Sequence, residues 1–255
     1  MGNNKFKNLI KDATLGVADA QYELGQCFFK GEDVRQDYAR ASYWFIKAAN
    51  SNHYESMYYL GICYKNGFGV KKNPEKALYY LQEAANGNVV LAQYTLGAIY
   101  YLGEIGKVNY EKAFTWFLKA AEQGLIEAQY NTAICYADGT GVKQNYQQAF
   151  YWYQETCKRK YPMGQYSLGR CYEFGLGIPT FDEMAFFWYQ RSALQGYNEA
   201  MYSLASCYER GFGVEKDENK AGYWYNKACQ NGLDKAKEMA QIYKKNILGK
   251  YKKVG

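Results

Sequence analysis

A six-residue phrase, Ala20-Gln21-Tyr22-Glu23-Leu24-Gly25, returns along the chain at a constant interval, and that interval limits what the chain can fold into. It recurs as Ser56-Met57-Tyr58-Tyr59-Leu60-Gly61, as Ala92-Gln93-Tyr94-Thr95-Leu96-Gly97 and as Gly164-Gln165-Tyr166-Ser167-Leu168-Gly169. Relaxed copies begin at Ala128 and Ala200, and the step between successive copies is 36 residues throughout. A fixed period of this size means stacked supersecondary units, none of which can bury its apolar face alone. Such an array forms one quasi-linear solenoid whatever its length.

The pattern inside each unit is helical. Ala20, Leu24, Cys27 and Phe28 fall on one face of a first helix, and Gly31 follows where that helix must stop. Gly67, Gly103, Gly139, Gly175 and Gly211 repeat the stop. Turns such as Gly67-Phe68-Gly69-Val70 come next, the valine closing the turn onto the pair. Asp37, Asn73, Asn109, Asn145 and Asp217 then stand where a second helix needs an N-cap. Ala41, Trp44, Phe45 and Ala48 recur in that second helix, and Trp116 and Trp152 are expected in the core between pairs. The fold class predicted is all-α: an α/α right-handed superhelix of six 36-residue helix-turn-helix repeats with terminal capping helices. The boundaries are a cap over 1–17, repeats over 18–53, 54–89, 90–125, 126–161, 162–197 and 198–233, and a capping helix with a basic tail over 234–255.

Composition excludes several classes of function. The net charge of +6 is concentrated in Lys244, Lys245, Lys250, Lys252 and Lys253, which argues against a nucleic-acid stripe. No segment is apolar over a membrane-spanning length, and Met1-Gly2 opens a myristoylation motif that Phe6 interrupts. Of seven cysteines, Cys27, Cys63, Cys135, Cys171 and Cys207 share one repeat position, where repeat three has Ile99. That position wants a small buried hydrophobe, and equivalent atoms in successive pairs are too far apart to bridge. Reduced thiols and a cytoplasmic compartment are therefore expected.

The residues from Ala18 onward resemble the Sel-one-like repeat family, a relative of the tetratricopeptide repeat. Ser56 to Gly87 and Ala200 to Gly232 carry its pattern almost letter for letter. Gly103-Glu104-Ile105-Gly106, Cys157 to Pro162 and Ile178-Pro179-Thr180-Phe181 depart from it. The resemblance implies a non-enzymatic adaptor that assembles proteins on its concave side. The cysteine-rich secreted branch of the family needs partners eight residues beyond Cys157 and Cys229, where this chain has Gln165 and Lys237.

No catalytic, cofactor or metal motif emerges. His53 is the single histidine and sits in a turn, and HExxH, CxxC and a phosphate loop are missing. A hydrolase is the competing class, and a cognate immunity protein neutralising a toxin competes within the binding class. Tyrosine recurs at one position of every first helix: Tyr22, Tyr58, Tyr94, Tyr130, Tyr166 and Tyr202. It reads either as interface or as packing. Mapping the concave positions of the tetratricopeptide relative selects Leu91, Tyr94, Ala98, Tyr101, Leu102, Tyr130, Ile134 and Ala137 as an apolar centre. Tyr58, Tyr166 and Arg170 adjoin it, within a charged rim that includes Asp19, Glu55, Lys65, Glu173, Glu199 and Arg210. An apolar centre with a polar rim is the anatomy of a protein-binding surface. The expected partner is a protein or peptide segment, with no nucleic acid, no membrane insertion, no cofactor, and a monomer in the partner's absence.

Overall fold

The computed structural model describes residues 3–245 and 249–253. Met1 and Gly2, which open the interrupted myristoylation motif, lie outside the described residues. The chain forms two compact units, Met1–Leu125 and Ile126–Gly255.

The first unit contains α1 (Asn3–Thr14), then three helix pairs: α2 (Ala18–Lys30) with α3 (Tyr38–Ala49), α4 (Tyr54–Asn66) with α5 (Pro74–Asn86), and α6 (Val90–Leu102) with α7 (Tyr110–Glu122). The second contains α8 (Ile126–Asp138) with α9 (Tyr146–Lys158), α10 (Pro162–Phe174) with α11 (Asp182–Leu194), and α12 (Asn198–Arg210) with α13 (Glu218–Gln230). A 3₁₀ turn (Asp234–Ala236) and α14 (Lys237–Ile242) follow.

Local chemistry sets these boundaries. Gly31, Gly67, Gly103, Gly139, Gly175 and Gly211 all take positive φ, between 68° and 83°, which a side chain would resist. Asp37, Asn73, Asn109 and Asp217 each accept a hydrogen bond from the backbone N–H three residues on, at 2.9–3.0 Å, and Asn145 does so at 3.1 Å. Phe181 stands at the sixth such position with the same extended backbone and no side-chain bond. Its N–H still donates to Tyr172 O, as Asp217 donates to Tyr208 O, so the turn keeps its path without the cap.

Inside each pair a large residue of the second helix lies against a small residue of the first. Phe45, Leu81, Phe117 and Tyr189 are buried opposite Gly25, Gly61, Gly97 and Gly169. A Cβ at Gly97 would stand 2.4 Å from Phe117 Cδ1, so glycine is what admits the ring. The adjacent tryptophans divide. Trp152 and Trp224 are buried, whereas Trp116, expected in the core, is half-buried. Its ring lies under Lys119 Nζ at 4.4 Å, so one face meets a cation instead of core.

The C-terminal segment differs from a helix with a tail. After α14 the chain forms an antiparallel ribbon of β1 (Tyr243–Lys245) and β2 (Tyr251–Lys253), with Tyr243 opposite Lys253. It packs on α13 at Gly222, where a Cβ would lie 2.4 Å from Tyr251 Cβ. Ser42, Leu78, Phe114, Phe150 and Phe186 occupy that repeat position elsewhere, and only the glycine leaves the room the ribbon takes. Tyr243 is fully buried there, 5.7 Å from the Tyr225 ring.

Candidate functional site

In the first unit the expected residues gather on α6. This helix contains no charged residue, yet Leu91, Tyr101 and Leu102 are 47%, 36% and 62% exposed. Tyr94 and Ala98 are half-buried beside them. Phe117 supports both tyrosines, with ring centroids 5.7 Å from Tyr94 and 6.3 Å from Tyr101. Tyr110 adds an edge contact to Tyr101 at 5.4 Å. Tyr58, on α4, is hydrogen-bonded with Thr95 of α6, and burial pushes its phenol up.

In the second unit the corresponding face is more polar. Tyr130 lies 6.0 Å from Tyr153 and 5.5 Å from Tyr161. Tyr166 lies 5.7 Å from Tyr189 and 5.3 Å from Tyr197. Ile134 is half-buried on α8. Arg170 is exposed, its guanidinium 5.7 Å from the Phe174 centroid. It borders a pocket of about 160 Å³ whose lining includes Ala137, Asp138, Tyr153, Ser167 and Cys171.

The tyrosine row is therefore half packing and half surface. All six members are partly exposed. Those other than Tyr58 lie against the aromatic of their own second helix, as Tyr22 against Phe45 at 6.4 Å and Tyr202 against Tyr225 at 5.1 Å. Much of the charged rim is engaged in ion pairs, two of which join neighbouring repeats. Lys65 pairs with Glu104 of the next repeat, which gives the unusual Gly103-Glu104-Ile105-Gly106 turn a role. Arg210 pairs with Glu173 at 3.1 Å, and Asp19 meets His53 Nε2 at 3.2 Å. These pairs join residues more than thirty positions apart, which no local motif announces.

Two further roles are visible only in the structure. His53 is the N-cap of α4: its Nδ1 accepts from Ser56 N–H at 3.2 Å, and its ring lies 4.7 Å from Tyr22. The glutamine of the Ala-Gln-Tyr phrase is buried and reaches the end of the preceding helix. Gln21 Nε2 donates to Ala13 O at 3.1 Å and Gln93 Nε2 to Ala85 O at 3.2 Å. Recurrence of a glutamine beside alanine in three copies, and beside Gly164 in a fourth, is the sequence signal for that role.

The reactive groups are subdued. All seven cysteines are free. Burial pushes Cys63, Cys157, Cys171 and Cys207 up to about 12 and Cys135 to about 11, so these thiols are protonated at neutral pH. Among the described residues no three His, Cys, Asp or Glu converge as a metal site. No helix among them is long and apolar enough to cross a membrane.

A model of the Sel1 repeat matches residues 18–53, 55–89, 90–125, 126–161, 162–197 and 198–233. The chain belongs to the Sel1 repeat family. Sel1 repeat proteins are generally protein-interaction scaffolds and generally non-catalytic. The chain is similar to c5321, a protective antigen of uropathogenic Escherichia coli strains displaying an SLR fold, with 30% identity over 95% of this chain and a TM-score of 0.87. It spans 52%, about half, of that relative's chain. A Sel1 repeat protein from Oxalobacter formigenes is 31% identical over 83% of this chain and 84% of its own, with a TM-score of 0.68. Comparison with curated proteins gives no match.

Proposed function

We propose that this Sel1 repeat protein is a non-enzymatic adaptor that holds a protein partner against the exposed faces of its first helices, in a reducing, cytoplasm-like compartment. The observation that carries the reading is α6. A helix with no charge that still exposes Leu91, Tyr101 and Leu102 leaves apolar area in water. A contiguous patch of that kind marks an interaction surface. Tyrosine is an anchor residue of interfaces, because it brings rigid area and a hydroxyl together. The fold does not demand Tyr101, since Phe29, Lys65, Ala137, Glu173 and Glu209 stand at its position in the other repeats. The unpaired thiols support the compartment.

The test is photocrosslinking from position 101 in cells, followed by calorimetry with the captured protein. Tyr101→Ala is expected to weaken binding at least tenfold, about 1.4 kcal/mol, with an unchanged melting temperature. Glu55→Ala is expected to alter mainly the salt dependence. A folded Tyr101→Ala protein that binds as tightly as wild type removes α6 from the interface.

A further inference from the structure

One repeat position, filled by Phe29, Lys65, Tyr101, Ala137, Glu173 and Glu209, faces another on the second helix, filled by Phe45, Leu81, Phe117, Tyr153, Tyr189 and Tyr225. In the first unit the pairing is apolar at two of three places: Phe29 on Phe45 at 6.0 Å and Tyr101 on Phe117 at 6.3 Å. In the second unit it becomes, at two of three places, a carboxylate held by a phenol and a cation. Tyr189 Oη donates to Glu173 Oε2 at 2.5 Å, and Arg210 Nη2 donates to Glu173 Oε1 at 3.1 Å. Tyr225 Oη donates to Glu209 Oε2 at 2.9 Å, and Lys253 Nζ donates to Glu209 Oε1 at 2.8 Å. The second cation comes from the β-ribbon, so two structurally different elements supply the same charge at the same kind of place.

The fourth repeat has the phenol and lacks the carboxylate. Ala137 stands at the carboxylate's position, and it and Tyr153 both line the pocket of about 160 Å³. Ser167 lines it and is hydrogen-bonded with Tyr153. Burial pushes the Tyr153 phenol up, so it is a protonated donor at neutral pH. Arg170 stands on the pocket wall and, among the described residues, forms no ion pair. Asp138 also lines the pocket, and its charge opposes an anion. Arg170 offsets that charge, whereas a bound cation would meet both a phenol O–H donor and a guanidinium.

We propose that the Ala137 pocket binds the side-chain carboxylate of a glutamate or aspartate carried by the protein partner, completing in trans the arrangement that Glu173 and Glu209 complete in cis. The source of the carboxylate rests on the adaptor reading. The pocket's chemistry does not, and it is testable without a partner.

The experiment titrates the isotope-labelled full chain with N-acetyl-glutamate α-methylamide, its glutamine counterpart and N-acetyl-alanine, read by nuclear magnetic resonance. The glutamate probe is expected to give saturable shifts at Ala137, Ser167 and Arg170 Nε, and the glutamine probe at least tenfold weaker binding. Arg170→Gln should reduce the response to the glutamine level. Ala137→Glu should abolish it by filling the pocket from within. Tyr101→Ala should leave it intact, so failure here is separable from failure of the α6 interface. Equal shifts with glutamine, or a response that survives both Arg170→Gln and Ala137→Glu in folded protein, overturns the proposal. N-acetyl-alanine binding as tightly as the glutamate probe overturns the side-chain assignment in favour of a chain terminus.

Discussion

Substituting Gly97 by alanine tests the packing logic of the repeat more sharply than any large truncation. In an exposed helix interior, glycine to alanine stabilises by about 1 kcal/mol through backbone entropy and propensity. At Gly97 the new Cβ would meet Phe117 Cδ1 at 2.4 Å, Cε1 at 2.6 Å and Cγ at 3.0 Å. Phe117 is 3% exposed and bears on Tyr94 and Tyr101, so the ring has little room to retreat. Overpacking of this kind costs about 1–3 kcal/mol, which outweighs the propensity gain and leaves a net loss of up to about 2 kcal/mol. In the Phe117→Ala background the clash is gone, and the same Gly97→Ala change should become neutral or stabilising by about 1 kcal/mol. Phe117→Ala alone should cost about 3–5 kcal/mol. Urea unfolding of the four proteins by circular dichroism closes the cycle, provided the slopes agree. If Gly97→Ala has the same sign in both backgrounds, the contact with Phe117 is not why glycine stands there.

Phe181→Asn should restore the missing N-cap of α11 and raise stability by about 1 kcal/mol, seen as a higher urea midpoint. Alkaline pH should destabilise the protein early. Unfolded thiols ionise near pH ~8.5, whereas burial holds Cys63, Cys135, Cys171 and Cys207 protonated to about 11 or 12. The stability from burying neutral thiols is therefore complete below pH ~8.5 and is lost as pH rises from there toward the folded values. Melting temperatures from pH 8 to 11 should fall, and a Cys63→Ala/Cys207→Ala variant should fall less steeply; parallel curves would remove the thiols as the cause.

Much of the fold was legible because its determinants are local and repeat. Glycines at helix ends and Asn or Asp at helix starts act within four residues, so six copies of the first and five of the second state them plainly. The β-ribbon was hidden because its clues are far apart: Tyr243 and Tyr251 lie in a lysine-rich stretch, and the glycine that receives them is Gly222. Trp116 was misplaced because periodicity assigns a residue to a face and cannot tell that Lys119 covers the outer side of that face. The ion pairs Lys65–Glu104 and Glu173–Arg210 escaped for the same reason as the ribbon, since nothing in either neighbourhood names the partner.

The repeats also serve as controls on one another, and this separates packing from binding within a single helix. Tyr94 belongs to a position that is tyrosine in all six copies, and its ring lies 5.7 Å from Phe117. Removing it takes away support that the fold uses everywhere, so Tyr94→Ala should lower stability and binding together. Tyr101 is 36% exposed at a position where the chain elsewhere tolerates lysine, alanine and glutamate. Leu102 is 62% exposed at the end of the same helix, where Lys30, Asn66, Asp138, Phe174 and Arg210 stand in the other copies. Residues that the period does not require, and that stay partly in water, are the ones the proposed interface would use. Binding lost with Tyr101→Ala while the melting curve stays put would locate that interface on α6. Parallel losses in the Tyr94 and Tyr101 variants would instead mean that both rings are core, and that the partner is met elsewhere.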